Sequence, residues 1–454
     1  MAEQLSVMMA RLKVILADGP LTQDTLVEIT SIYNNVAYIF LYLEANERYV
    51  NYDRLLPWRT AFHRDPDLDR LLLDRLLTLH CPDPEAERSR EVWVQQLRAK
   101  SNQPDTDSAE RMDTLVVAAK DVLGALAHDQ AALLAKLGVQ VGQMSPPAVF
   151  YKMSSATNNP ATRSKLARAW TALRDRRQSE IVELVDQMIA ELRRRSVARG
   201  YRTVLAETLE KCRVSEAQVD AFIERYLNRA IASHRQLEDE VRASTGVVEN
   251  PMDHFGFHMR CLIGTAEVPM LSLQGCLDFI YAVADSAFGL TIEQVSRAED
   301  VVMTVRVLAA DEEVGQINFD LWNDEGKALK ANHTRGIRNR TTWMGLVQLP
   351  IAYVSCRFKR TENGDELITF QNAHSLFHEF GHAINHLLIR KRISNQSGLE
   401  YLPLERLEYL SMWFEKWVYH PEFAHGLGLS DSQRAGLEQC QRIVTGQVCG
   451  GVSC

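Results

Sequence analysis

Apolar residues recur at helical spacing through most of the first 290 residues and at strand spacing only in a stretch after residue 300. In the first hundred residues, helical segments are separated by Asp18-Gly19-Pro20, Asp65-Pro66 and Cys81-Pro82-Asp83-Pro84, where glycine and proline stop a helix. Residues 101–105 predict a loop, and residues 109–137 a further helix ending near Gly138. Beyond Ser145-Pro146-Pro147 and Asn158-Asn159-Pro160 comes a long charged helix in which Ile181, Leu184, Val185, Met188, Ile189 and Leu192 form one apolar stripe. Arg193, Arg194 and Arg195 close that helix, where positive charge complements the dipole, and read as a solvated terminus. Helices continue to about residue 243, and residues 272–289 add another.

The period changes near residue 300. Residues 301–308 are rich in β-branched side chains, and Ile317, Phe319 and Leu321 alternate with polar neighbours. An acidic turn, Asp311-Glu312-Glu313, separates these two strands, and residues 349–358 predict a third before the turn signal at 362–365. The pattern therefore predicts a mainly α protein with a small β-sheet just before residue 370. It divides the chain into an N-terminal helical region (1–145), a second helical region (146–300) and a third region (301–454) holding the sheet and the helices after it.

Charge and cysteine usage narrow the function classes. A formal net charge of −8 argues against nucleic acid or an anionic membrane as the main partner. The first 20 residues hold no long apolar run, and no later run reaches the ~18 apolar residues that span a bilayer. Val36 to Leu43 is the most apolar local run, but it is short, includes Tyr38 and Tyr42, and reads as a core helix. The eight cysteines are scattered without paired spacing, which predicts reduced thiols and a cytoplasmic location.

The candidate chemistry lies in residues 375–386, which contain His378-Glu379-Phe380-Gly381-His382. Positions four apart share a helix face, so His378 and His382 can offer two imidazoles to one metal ion. Glu379 sits about 100° round the helix, within reach of a water on that metal, whose pKa a Zn²⁺ would lower towards 7. The bland alternative is an amphipathic helix that happens to carry two histidines. A catalytic zinc needs a third protein ligand, and the downstream candidates are Glu400, Glu405, Glu408, Glu415, His420 and His425. Residues 404–418 predict a helix with Leu407, Leu410, Phe414 and Val418 on one apolar face. Glu408 lies beside that face, where a partly buried carboxylate requires a partner, and Glu405 is the next choice.

These residues resemble the thimet oligopeptidase family, which includes oligopeptidase A, oligopeptidase F and the mitochondrial intermediate peptidase. Phe377 to Ala383 with His386 carries the likeness, as do Ser397-Gly398 and the segment Glu405-Arg406-Leu407-Glu408-Tyr409-Leu410-Ser411 followed by Glu415-Lys416-Trp417. Gly315 to Leu321, Gly275 to Phe279 and Ala198 to Tyr201 are similar to upstream family segments. The resemblance implies a hydrolase: a metalloprotease that binds one Zn²⁺ through His378, His382 and Glu408, with Glu379 as general base. It makes Glu405, where the family has an Asp, a hydrogen-bond partner behind the ligands, while His374 and His386 extend the histidine stripe of 378 and 382 and read as packing or supporting groups in preference to direct ligands. It implies a two-lobed helical zincin-type metallopeptidase in which a deep channel admits short peptides and excludes folded proteins. The second helical region would line that channel, and the strand near residues 349–357 would offer backbone hydrogen bonds to an extended peptide.

Two departures shape the expectation. His374 stands where the family usually has a Glu, and one extra residue separates Gly398 from Glu408. Family members also carry, well beyond the Glu ligand, a Gly-rich loop whose His and Tyr residues stabilise the oxyanion. Nothing from Pro421 to Cys454 resembles it, so the chain is expected to be C-terminally short, with a partner or a missing segment completing the site. The alternative expectation is a zinc- and peptide-binding relative with weak or no activity, since losing one oxyanion donor costs about 10²–10³ in rate.

Overall fold

A computed structural model gives the fold of residues 2–17, 19–45, 55–63, 65–101, 106–140, 145–212, 214–247, 249–263, 269–296, 301–323, 332–361 and 363–443. The chain is mainly helical with a small mixed sheet. It divides into two compact units, residues 1–101 with 268–434 and residues 102–267 with 435–454.

The first unit begins with α1 (Ala2–Ala17), α2 (Gln23–Ala45), α3 (Leu56–His63), α4 (Pro66–Thr78) and α5 (Pro84–Ser101). In α4 the causes of helix formation are plain. Asp65 caps it by accepting from the Asp67 and Leu68 amides, Pro66 occupies the first turn, and Leu68, Leu72 and Leu76 fall four apart on the buried face. Each leucine contributes about 1.5–3 kcal/mol on burial, against ~1 kcal/mol for the cap, so packing dominates. Among the described residues, α2 alone is long and apolar enough to cross a membrane. Its Leu26, Ile29, Val36 and Phe40 are instead buried in the core that α1–α5 share with Ile393.

The second unit holds α6 (Thr106–Lys136), α7 (Pro146–Ala156), α8 (Pro160–Arg176), α9 (Gln178–Ala198), α10 (Val204–Cys212), α11 (Glu216–Thr245) and α12 (Phe255–Ile263). The arginine run at the end of α9 is more than a solvated terminus. Glu191 is buried, and Arg194 and Arg195, three and four residues on, pair with it at 2.5 and 3.6 Å.

The chain then returns to the first unit with β1 (Leu271–Ser272), α13 (Leu273–Phe288), β2 (Leu290–Gln294), β3 (Met303–Ala309), β4 (Glu312–Trp322) and β5 (His333–Arg338). After these come β6 (Thr341–Trp343), β7 (Leu346–Gln348), β8 (Ile351–Phe358), β9 (Leu367–Ile368), α14 (Phe370–Leu388), α15 (Leu404–Glu415) and α16 (Pro421–Gly426), then α17 (Asp431–Ile443). Five strands form one sheet in the order β2-β3-β4-β8-β5, with β4 and β8 parallel and the other neighbours antiparallel. The turn expected at Asp311–Glu313 is tighter than its residues suggest. Ala310 and Asp311 take positive φ, and Glu312 and Glu313 already belong to β4.

β8 corrects an expectation. It is an interior strand between β4 and β5, and Ile351 to Cys356 are buried on both faces, so it has no free edge for a peptide. The sheet ends instead at β5, which the sequence pattern hides because His333-Thr334-Arg335-Gly336 lacks apolar alternation. Tyr353 of β8 packs against Tyr42 of α2, whereas Thr334 and Gly336 of β5 turn towards α14, so the two helices cover opposite faces.

Buried polar ties join distant parts of the first unit. Asn34 donates to the Asn339 carbonyl at 3.1 Å and accepts from the Asn339 amide at 3.0 Å. Ser394 donates to the Thr30 carbonyl at 2.9 Å, and Ser89 to Asn395 Oδ1 at 2.6 Å. The first hundred residues therefore group with residues after 268, where the sequence pattern separates them into a first and a third region. Amphipathic periodicity reveals that a helix has a buried face without naming what covers it.

Candidate metal centre

The site is built on α14, which Thr369 caps by accepting from the Asn372 amide. Its apolar face wedges into an aromatic cluster: Phe377 lies 6.1 Å from Phe279 of α13, and Phe380 lies 5.1 Å from Phe414 of α15. Gly381 sets the approach of α15. A Cβ there would stand 2.6 Å from Ser411 Cα and 2.7 Å from the Leu410 carbonyl oxygen, so only glycine lets the two backbones pass. Gly336 plays the matching part on the other side, because a Cβ there would overlap the His386 ring.

This packing brings His378, His382 and Glu408 together, with one potential ligand atom from each inside a 4.8 Å span. Glu408 Oε2 lies 3.3 Å from His378 Nε2 and 3.2 Å from His382 Nε2. A tetrahedral ion with bonds of about 2.0–2.2 Å has ligand edges of about 3.3–3.6 Å, so these donors fit a zinc-sized cation. His378 Nδ1 lies 2.8 Å from Glu415 Oε2, which assigns the proton to Nδ1 and leaves the Nε2 lone pair facing the cluster. Ser411 Oγ lies 2.9 Å from Glu408 Oε2 and orients that carboxylate. Glu379 is buried, and the Thr334 hydroxyl lies 2.8 Å from both its Oε2 and its carbonyl oxygen. A cavity of about 580 Å³ opens onto Thr334, Gly336, His378, Glu379, His382 and Glu408.

The electrostatics follow from these contacts. The Glu415 hydrogen bond pushes the His378 pKa up, with burial opposing it. Burial pushes the Glu379 carboxyl up, opposed by the Thr334 hydrogen bond, and burial pushes His382 down, opposed by Glu408. Burial pulls Glu415 up as well, but the His378 bond, His374 and Lys416 outweigh it and leave its pKa below the ordinary value.

The remaining candidates fall elsewhere. His374 lies 3.8 Å from Glu415 Oε2, behind His378 rather than among the converging atoms. His386 is fully buried and donates from Nε2 to the Arg338 carbonyl at 2.9 Å, fastening α14 to β5. Glu405 lies on α15, but its side chain is outside the described residues. His420 Nδ1 accepts from the Glu422 amide, and His425 pairs with Arg434. A larger recess of about 640 Å³ in the second unit, lined by Arg168, Asp175, Glu238 and Arg242 among others, holds the Arg242–Glu238 ion pair and, among the described residues, no converging metal-donor set.

Residues 153–451 match the sequence model of Peptidase family M3. The chain belongs to Peptidase family M3. It is 39% identical to oligopeptidase A of Salmonella typhimurium over 79 residues, 17% of this chain and 12% of that protein. It is 20% identical over 367 residues to an Arabidopsis thaliana protein named probable cytosolic oligopeptidase A, covering 73% of this chain and 52% of the relative. These matches span at most about half of the relatives' lengths. A crystal structure described as a candidate oligoendopeptidase F from Bacillus anthracis aligns with 98% of this chain and 81% of its own, at a TM-score of 0.45 and 11% identity.

Three residues around this cluster were not expected in the places they occupy. Glu415, weighed only as a ligand, holds His378 from behind. Its seven-residue spacing from Glu408 is two helical turns and could have placed it on the same face. Ser411 follows Glu408 by three residues and is legible in the same way. Thr334 had no signal, since it arrives from a strand 45 residues before Glu379.

Proposed function

We propose that the chain is a zinc-dependent endopeptidase that hydrolyses peptide bonds in short peptides. What supports this most is the meeting of His378, His382 and Glu408 in one cavity beside the buried carboxylate of Glu379. When bound there, a zinc ion supplies Lewis-acid polarisation of a carbonyl and acidifies water. His378 and His382 would hold it through Nε2, and Glu408 through Oε2. Glu379 takes the proton from the attacking water and returns it to the leaving amine. Thr334 fixes the Glu379 carboxylate by occupying Oε2. β5 ends the sheet beside the cavity, so an extended peptide can pair with its backbone near Gly336. A cytoplasmic location goes with this proposal, supported by Cys81 and Cys276, which are buried as free thiols.

The test compares turnover of quenched short peptides by the zinc-loaded chain and by Glu379→Gln. Turnover by the native chain and a loss of about 10²–10⁴ in the variant, each retaining one zinc, is the expected result. Equal rates would remove Glu379 from the mechanism, and tight peptide binding without turnover would leave a binding protein on the same scaffold.

A further inference from the structure

Arg163, on α8 of the second unit, is fully buried. It donates from Nη1 to the Thr157 and Asn158 carbonyls at 2.8 and 2.9 Å, and from Nε to His254 Nδ1 at 2.9 Å. Its guanidinium lies 3.8 Å from the centre of the Phe257 ring. A buried cation is ordinarily paired with an anion. Among the described residues no carboxylate bonds to this one, and an imidazole takes that place. Arg260 lies over the same Phe257 ring at 4.9 Å and holds the Ala156 carbonyl and Asn158 Oδ1. Two arginines on one ring thus bind the connection between α7 and α8 to α12 and to the short 3-10 turn before it, Pro251–His254.

The direction of the Arg163 bond fixes the state of the ring. A guanidinium can only donate, so His254 Nδ1 carries no proton and the imidazole is neutral. Its one proton is on Nε2, which lies 3.2 Å from Ser164 Oγ. A second proton, on Nδ1, would abolish the Arg163 bond and set two cations face to face in a dry interior. His258, one helical turn further on, is also buried, with Nδ1 2.6 Å from Ser244 Oγ of α11 and Nε2 without a partner among the described residues. Burial pushes the His254 pKa down, Arg163 adds to that, and Asp253 opposes it. Burial does the same to His258, opposed by Glu240 of α11. Arg168 and Asp175 of α8 and Glu238 and Arg242 of α11 line the recess beside Asp253. From α7 comes the Tyr151 ring, 2.9 Å from where a Cβ on Gly256 would stand, so α12 is packed without slack.

We propose that the Arg163–His254 contact is an acid-released latch, which holds the 251–254 turn and α12 against α7 and α8 while the imidazole is neutral and frees them when it gains a proton. In the open form the ring meets water and takes up its proton near the ordinary value of ~6.5, before the closed form can. The closed form is therefore favoured above that pH and is lost progressively as pH falls. One such proton, taken up between about pH 7 and pH 5, multiplies the open fraction about 25-fold.

Hydrogen exchange of the amides in 251–263 of the full chain, corrected for the intrinsic pH dependence of exchange, gives the opening constant at each pH, with the amides of α14 as a reference in the other unit. Opening of the turn and α12 should rise about tenfold or more from about pH 7 to pH 5. His254→Asn keeps an acceptor near the Nδ1 position and cannot be protonated, so the rise should shrink about tenfold, leaving only the part due to His258. Arg163→Gln keeps a donor without the charge and can turn its amide oxygen to a protonated ring, so it should cut the rise about threefold or more. That variant carries the test if His254→Asn does not fold. A native chain with no rise, or a rise that persists in full in whichever variants fold, overturns the latch. Loss of protection in α12 and α14 together, unchanged by either substitution, is global acid unfolding and overturns it as well.

Discussion

Gly381→Ala tests whether the crossing of α14 and α15 builds the metal centre. Two effects oppose each other. Alanine favours a helix interior over glycine by about 0.8–1 kcal/mol, which stabilises α14. Its Cβ, however, would stand 2.6 Å from Ser411 Cα, so reaching an ordinary contact of 3.4 Å demands that α15 withdraw by 0.8 Å. The obstacle is backbone and cannot rotate away, and overpacking of this kind costs about 1–3 kcal/mol. Overpacking therefore wins, leaving a net destabilisation of up to about 2 kcal/mol. The metal site should suffer more sharply, because α15 carries Glu408 and a metal site tolerates about 0.2 Å in its bond lengths. The variant should lose about tenfold or more in zinc affinity, read by competition with a chromophoric chelator, alongside thermal melts of the metal-free and zinc-loaded forms. A metal-free melt as high as that of the native chain together with undiminished zinc affinity would refute the role given to this crossing.

Three further outcomes follow from contacts already described. Glu415→Gln keeps the shape but weakens the hold on His378 Nδ1, and zinc affinity should fall about 10–100-fold while Glu408 is untouched. Thr334→Val should lower kcat about tenfold or more with little change in KM, and Thr334→Ser should restore it, since only the hydroxyl reaches Glu379. His386 is fully buried with its pKa pushed down from 6.5 to about 4, so the unfolded ring takes up a proton before the folded one as pH falls. The metal-free protein should lose about 3 kcal/mol through this group between pH ~7 and pH ~4, seen in urea unfolding as a slope that His386→Gln removes.

Much of the site was legible in the sequence because its spacing is local. His378 and His382 lie one turn apart on one helix, and Glu408, Ser411 and Glu415 lie on one face of another, so helical periodicity alone groups each set. The joining of the two helices was not legible from periodicity. It depends on a glycine whose importance lies in what stands opposite, and on aromatic contacts such as Phe380 with Phe414 that no spacing announces. Strand β5 was hidden for a different reason. A half-polar edge strand containing glycine gives no alternation, and it is held by β8 and by the His386 bond to Arg338. The strand expected to pair with a peptide, residues 349–357, is consequently an interior one.

The notch at Gly336 ties the edge strand to the helix of the metal centre. His386 fills the space where a side chain would stand, and so couples the edge strand to the same helix that carries His378 and His382. Under the proposed function, a peptide lying on that strand would be measured against a bound metal by a fixed gauge made of backbone and one imidazole, and that gauge would set the bond to be cut. Differences in peptide preference would then come from other lining residues such as Leu41 and Glu400, which take no part in the His386 bond.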